Sequence, residues 1–481
     1  RDPDPNSATR WIECTERGAM MQVRQRTGGW FPEQGGQGWS PLATCLLLAA
    51  TLLSPARPVQ AADINPVRFV TPNGLTVLVL EQHWLPIVQL HALIKAGAAQ
   101  DPPEKPGLAN LVASLLDEGT KTRTAKQIAE QIEFVGGTLT TKAIEDFTTA
   151  SALVLKKDTE LGFELLADIL LHPVFPEHEV KRVRSQILGE MQSEKDEPGL
   201  VAAKAFHQLV FDGHPYRWPV NGTEESVPKI NRADIQNFFS HEYLPNQTIL
   251  AIVGDIPIEQ ARALVVKHFG SWKRGTPPSR TVAKPAPIEK PTVRLIEKDL
   301  TQATIMLGHV GISRTNPDFY AVSVMNHILG AGGFSSRLME SIRDRQGLVY
   351  GVGSHFEANL MPGAFMVNLQ TRNETTNQAI TGVLTELKNI RETPVTDQEL
   401  ADAKSYLIGS FPLRLDTTAK LAQVLSLVEL YGLGLDYFSQ YPRWIEKVTK
   451  EDVLRVAKQY LHPTRYALVV VGALAKAKVQ Q

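Results

Sequence analysis

Cysteine is nearly missing from this 481-residue sequence: only Cys14 and Cys45 occur, both close to the N-terminus. Beyond them no disulfide framework and no cysteine-ligated metal is possible. An excess of one charge is missing too, since 50 Lys and Arg stand against 51 Asp and Glu for a formal net charge of −1. No long-range field therefore draws the chain to nucleic acid or to an anionic surface, and a nucleic-acid partner is excluded on that ground. Long apolar runs are absent as well. The stretch Pro41 to Leu53 is short of the roughly 20 residues that a spanning helix needs, and Pro55 and Pro58 follow it. Histidine pairs are the last absence: none of the twelve histidines, from His83 to His462, has another three or four residues away, the spacing of a helical metal site.

What is present is ordinary globular composition, 43% hydrophobic and 21% charged, in a chain long enough for more than one core. Residues 1–61 read as a leader. Arg24 and Arg26 supply positive charge, Pro41 to Leu53 the apolar stretch, and Val59-Gln60-Ala61 a small-residue cleavage site, with residues ahead of Met20 and Met21 read as upstream sequence. The mature protein is expected to begin near Ala62 or Asp63, to be exported to the periplasm and to keep no stable membrane span.

The remainder divides in two. Residues 275–290 hold Pro277, Pro278, Pro285 and Pro287 among few apolar residues, a composition that disfavours helix and central strand alike. This linker separates residues 62–274 from 291–481, and the two parts end alike. Asn231 to Ile235, Tyr243-Leu244 and Ile249 to Gly254 match Thr449 to Val453, Tyr460-Leu461 and Ala467 to Gly472, with an offset of 218 residues at Asp234/Asp452 and at Gly254/Gly472. In each copy a polar N-cap, Asn231 or Thr449, opens a helix and a β-branched run follows as a strand. Further apolar runs at Leu75 to Leu80, Val88 to Ile94, Thr148 to Leu155, Thr292 to Ile296, Ala303 to Leu307 and Ala364 to Leu369 predict strands between helical patterns. The expected class is α+β: two homologous mixed-sheet domains, helices packed on one face of each, joined by the proline-rich linker.

In the first domain Gly107 to Glu118 predicts a helix with Leu108, Leu111, Val112, Leu115 and Leu116 on one face and Asn110, Ala113, Ser114 and Asp117 on the other. The run Gly107-Leu108-Ala109-Asn110-Leu111-Val112-Ala113-Ser114, with Glu118-Gly119-Thr120 behind it, resembles the inverted zinc motif H-x-x-E-H of the pitrilysin/insulinase metallopeptidases. The resemblance covers roughly residues 64 to 475. In that family two histidines bind zinc one helical turn apart, the glutamate activates water, and a later helix donates a glutamate ligand. Here Asn110 and Ser114 stand at the histidine positions and Ala113 at the glutamate, while Glu190, 76 residues after Ser114, matches the third ligand. An amide and a hydroxyl replace imidazole poorly and alanine takes no proton, so no metal is expected in this chain. Glu190 then reads as a solvated helix residue beside Val183, Ile187 and Met191. His214 in Gly213-His214-Pro215-Tyr216 also matches a family pattern and reads as a structural loop residue.

In the second domain Gly330-Ala331-Gly332-Gly333-Phe334-Ser335-Ser336-Arg337-Leu338 opens a helix that is expected to run through Arg343 to Gly347, after which Leu348, Tyr350 and Val352 alternate as a strand. The resemblance implies that this region is the substrate arm, where an arginine and a tyrosine seven residues apart hold the peptide and face the developing oxyanion. Arg343 and Tyr350 have that spacing, and Gly330, Gly332 and Gly333 would form a flexible peptide-contact loop. The glycine run lacks the lysine and spacing of a phosphate loop. Read without the family, Arg343 complements a helix C-terminus and Tyr350 fills a strand. With it, the expected function is the substrate-binding subunit of a heterodimeric peptidase. A zinc-bearing paralogue would supply the metal and base, and this chain would supply Arg343 and Tyr350 for an extended peptide. An inert scaffold with the peptidase fold and a periplasmic peptide-binding module are the alternatives.

Overall fold

The computed structural model describes residues 64–278 and 282–479. Both cysteines, the expected leader and its cleavage site lie outside the described residues. Among the described residues eleven strands form two sheets. The first contains β1 (Val67–Val70), β2 (Thr76–Glu81), β3 (Ile87–Ile94), β4 (Thr138–Ala143), β5 (Thr148–Leu155) and β6 (Thr248–Gly254), in the order β1-β2-β6-β3-β5-β4. The second contains β7 (Thr292–Glu297), β8 (Gln302–Val310), β9 (Val349–Ala358), β10 (Pro362–Arg372) and β11 (Ala467–Gly472), in the order β7-β11-β8-β10-β9. In each, the last strand slides in parallel beside the first strand of the repeat and antiparallel to the next, so β2-β6-β3-β5-β4 and β7-β11-β8-β10-β9 share one topology. The fold is a duplicated mixed sheet with helices, as the repeat implied. The four-residue β1 is too short, and β4 too polar, to show as an apolar run, and neither left a readable trace.

The repeat has a local cause. Helix Arg232–Glu242 is opened by a capping box in which the Asn231 carboxamide accepts from Asp234 N–H (3.1 Å) and Asp234 accepts from Asn231 N–H (3.0 Å). Thr449 and Asp452 repeat it ahead of Lys450–Tyr460, both bonds at 3.1 Å. Each box satisfies two otherwise orphaned donors, which is why Asp recurs at the same place in both copies.

Each sheet is covered on one face by helices of its own half. For the first these include α1 (Leu108–Ala113), α2 (Ala125–Phe134), α3 (Thr159–Leu171) and α4 (Glu177–Glu194), packed with Val77, Val79, Leu90, Leu250 and Ile252. The opposite face is closed by a helix from the other half. Helix α5 (Pro198–Val210) belongs to the first half but lays Ala202, Ala205 and Phe206 on Ala467, Val469 and Val471 of β11. Helix α6 (Thr418–Leu430) returns the exchange, placing Leu421, Leu425 and Val428 in one core with Leu78, Leu80, Ile249, Ala251 and Val253. Strand residues alternate between the two covers, and with both present every residue of β6 and β11 is buried. Arg68 of β1 holds Glu429 of α6 at 2.8 Å, and Arg294 of β7 holds Gln208 of α5 at 2.7 Å.

The β4–β5 and β9–β10 turns also meet. Asp146 accepts from the Tyr216 hydroxyl and from Leu360 N–H (2.7 Å), and Met361 N–H donates to the same hydroxyl at 3.3 Å. Beside them His207 of α5 faces Glu357 of β9 at 3.3 Å.

One buried histidine makes acid stability predictable. His309 is 1% exposed; its Nδ1 lies 2.9 Å from Val310 O and its Nε2 accepts from His462 N–H at 3.1 Å. Only the neutral ring, with its proton on Nδ1, satisfies both. Burial pushes His309 down to about 3, and burial likewise pushes His91 of β3 down to about 4. A depressed histidine leaves stability intact above its unfolded value near 6.5 and loses it as pH falls towards the folded value. Urea unfolding from pH 7.5 to 4.5 is therefore expected to show stability falling below about pH 6.5, by up to about 1.4 kcal/mol per pH unit for each histidine. His309→Gln should flatten that slope. An unchanged slope in the variant would show that His309 titrates alike folded and unfolded.

Candidate functional site

The zinc-motif segment folds as the short helix α1, capped at its start by a carboxylate. Asp101 accepts from Gly107 N–H and Ala109 N–H, both at 2.7 Å, which places negative charge at the helix N-terminus. Gly107 sits at φ +97, and a Cβ there would lie 2.9 Å from Asn221 O, so the Asn221-Gly222 loop rests directly on this glycine. The sequence predicted a helix to Glu118; it stops at Ala113, because Leu115 N–H turns back to Val112 O (3.2 Å) and Leu116 N–H to Ala113 O (3.3 Å), tightening the last turn. Ala113, expected on the outer face, is fully buried in the first core; Asn110 and Ser114 are half-buried.

Glu190 is exposed on α4, beside the buried row Val180, Val183, Ile187 and Met191, and its carboxylate accepts from Gln186 Nε2 at 3.0 Å. These residues do not fit zinc. One exposed carboxylate already engaged by a neighbouring amide, a carboxamide, a hydroxyl and a buried methyl make no ligand set, and among the described residues no group of three His, Cys, Asp or Glu is placed to hold a metal. His214 is buried, takes Tyr216 N–H on Nδ1 at 3.1 Å and meets the Tyr216 ring edge-on at 4.6 Å, bracing the loop that reaches Asp146.

The second-half residues are positioned by two irregularities of the backbone. The helix expected through Arg343 is a π-helical turn over Met339–Arg345, ended by Gly347 at φ +62. Strand β9 pairs regularly with β10 from Phe356↔Phe365 to Val352↔Leu369, then slips so that Val349 faces Thr371, leaving Tyr350 and Gly351 on a bulge. Strict alternation would put Tyr350 on the same face as Val352, which is buried; the bulge turns it outward, and Tyr350 is 91% exposed. The two distortions bring the Arg343 guanidinium to 5.9 Å from the centre of the Tyr350 ring and 4.9 Å from that of Phe334, within cation–π range of both. Its ion pair is with the adjacent, exposed Asp344 at 3.1 Å. Insertions of this kind strain regular structure and are found where a side chain must be aimed. Strand β9 lies at the end of its sheet and pairs with β10 alone.

The glycines divide. Gly330 is buried, and a Cβ on it would lie 2.4 Å from Ser354 Oγ and 2.6 Å from Ser354 N, so it serves close packing against β9, not the expected peptide contact. Gly332 rests on His327, and Gly333, at φ +61, has open space around it. Phe334, which sequence reasoning did not single out, stands exposed beside Arg343; its one signal is a bulky apolar residue inside a glycine turn. Among the described residues, no hydrogen bond or ring contact joins Arg343 or Tyr350 to Asn110, Ser114 or Glu190.

Two sequence profiles match the chain: "Insulinase (Peptidase family M16)" over residues 76–224 and "Peptidase M16 inactive domain" over residues 229–407. A Mycobacterium leprae protein described as an uncharacterized zinc protease is 31% identical over 431 residues, covering 87% of this chain and 94% of that one. The chain belongs to the pitrilysin/insulinase family of peptidases, family M16. A Bacillus subtilis uncharacterized zinc protease shares 26% over 355 residues, 73% of this chain and 85% of the relative. The crystal structure of a peptidase M16 inactive domain from Pseudomonas fluorescens superposes with a TM-score of 0.80 at 30% identity, covering 85% of this chain and 98% of that one. A Helicobacter pylori protease, at TM-score 0.79 and 21% identity, shares the fold. Within this M16 chain the first half has the motif's helix without its metal chemistry, and the second half holds a half-buried arginine beside an exposed tyrosine.

Proposed function

We propose that this chain is the non-catalytic, substrate-binding subunit of a heterodimeric periplasmic zinc metallopeptidase. Arg343 and Tyr350 reach a peptide held at the zinc of a paralogous partner. The observation that carries the reading is their convergence: a π-turn and a β-bulge place the guanidinium 5.9 Å from the tyrosine ring at the start of the sheet's last strand, while Asn110, Ala113 and Ser114 supply neither ligand nor base. A guanidinium and a phenol on one rim donate to a scissile carbonyl as its charge grows.

The purified chain is expected to contain no stoichiometric zinc and to cleave no peptide alone, and to become active when mixed with a paralogue from the same organism that has an intact H-x-x-E-H. One tightly bound zinc per chain, lost in Glu190→Ala, would contradict the assignment of the zinc positions. Peptide binding without any activating paralogue would favour a peptide-binding module, and the absence of both would leave an inert scaffold.

A further inference from the structure

Strand β10 turns Phe365, Val367, Leu369 and Thr371 into the core of the second half, a row that is apolar until its last member. Thr371 is 1% exposed, so its hydroxyl needs a partner inside the protein. It donates to Leu348 O at 2.7 Å, and the Thr375 hydroxyl also lies 2.7 Å from it. Leu348 is the link between the two distortions that aim Arg343 and Tyr350. Behind it the π-turn closes with Gly347 N–H on Arg343 O at 2.9 Å and Leu348 N–H on Ile342 O at 3.1 Å. Ahead of it β9 uses Val349 to Val352 where β10 uses only Leu369 to Thr371. The bulge thus starts opposite Thr371, and the same residue holds the carbonyl that precedes it. Two further bonds tie the region together. Gln346 Nε2 donates to Ser341 O within the turn at 3.0 Å, and Val352 N–H, just past the bulge, donates to Met339 Sδ at 3.4 Å. Packing alone does not call for a hydroxyl at 371, since valine has the same shape and suits an apolar strand row better.

We propose that Thr371 is a positioning residue for the Arg343 and Tyr350 pair: by holding Leu348 O it fixes the slip that turns Tyr350 outward and keeps the π-turn beside it. This role rests on the reading of that pair as the peptide site, and it adds the residue that aims it. Without the bond the Leu348 peptide plane is free to turn, and β9 can recover the regular alternation that puts Tyr350 on the face of Val352. The phenol then leaves the guanidinium, which now stands 5.9 Å from the ring centre. Thr371 is itself buried and acts only through the pair.

Two variants separate the hydroxyl from the shape. Thr371→Val keeps the shape and loses the hydroxyl, and Thr371→Ser keeps the hydroxyl. On the chain alone, hydrogen–deuterium exchange over residues 347 to 352 is expected to be about fivefold faster in Thr371→Val, the size of one hydrogen bond, and close to wild type in Thr371→Ser. Exchange of β3 and β6 should be unchanged in both. Mixed with the zinc-bearing paralogue, Thr371→Val is expected to lower kcat about fivefold or more, and Thr371→Ser to keep it. Added to Tyr350→Phe, Thr371→Val should cost less than it does alone, because the hydroxyl it aims is already gone; a merely structural threonine costs the same in both backgrounds. Unchanged exchange in Thr371→Val, or no recovery in Thr371→Ser, overturns the hold on Leu348. Faster exchange with wild-type kcat, or an undiminished loss in the Tyr350→Phe background, overturns the positioning role while Tyr350→Phe still marks the peptide site. If Tyr350→Phe and Arg343→Ala leave cleavage unchanged, or no paralogue activates the chain, the peptide-site reading falls and the positioning role falls with it.

Discussion

Replacing Tyr350 by Phe is expected to lower kcat of the reconstituted peptidase by an order of magnitude or more while KM stays close to wild type. Loss of one oxyanion donor typically costs about 2.7 to 4 kcal/mol of transition-state stabilisation, and the hydroxyl is the only group removed. Folding should be unaffected, because Tyr350 is 91% exposed and its hydroxyl supports no packing. Arg343→Ala is expected to lower kcat and also to raise KM, since a charged donor to the peptide holds the ground state as well as the transition state. It also removes the cation between Phe334 and Tyr350. Asn110→Ala should change neither parameter. The measurement is peptide cleavage by each variant mixed with the zinc-bearing partner, with gel filtration to confirm that the complex forms. Wild-type kcat and KM for both variants in an intact complex would make the pair structural and bring the scaffold reading forward.

Phe206→Ala is expected to destabilise the whole chain by about 3 to 5 kcal/mol, the range for deleting a fully buried aromatic side chain. Phe206 is 0% exposed in α5, in one core with Ala467, Val469 and Val471 of the other half's central strand. Because α5 and α6 cross between the halves, neither sheet keeps its second cover without the other, and the loss should lower one cooperative transition. Calorimetry decides this. A wild-type chain that melts in two separate steps, with only the first-half step moved by the substitution, would mean that the halves are independent and the exchanged helices add little.

Much of the site was legible because its chemistry depends on residue type at fixed spacing. Asn110, Ala113 and Ser114 in the zinc motif announce a lost metal site wherever the helix lies, and the seven-residue interval from Arg343 to Tyr350 is readable before any fold is known. What that interval could not give is direction. A regular helix and a regular strand would have left Tyr350 on the buried face with Val352, and only the π-turn and the bulge aim the two side chains at each other. The same limit hid Gly330, whose sequence setting suggests a mobile loop and whose surroundings, Ser354 above all, make it a packing glycine.

By itself the sequence determined the duplication, the strand runs and the helix N-caps, because these follow from local patterns: a polar residue ahead of a helical stretch, an unbroken β-branched run. It also determined that the described first half would lack a zinc ligand set, since no arrangement of Asn, Ala and Ser supplies imidazole. The tertiary structure alone decided that α5 and α6 exchange across the halves. Their apolar faces look from sequence like those of helices that stay at home, and the unbroken runs Ile249 to Val253 and Leu468 to Val471 say only that both faces of a strand are buried, not by what. It alone decided, too, that a turn anchored on His327 and Glu399 holds Phe334 out beside Arg343, because that placement depends on contacts between residues far apart in the chain.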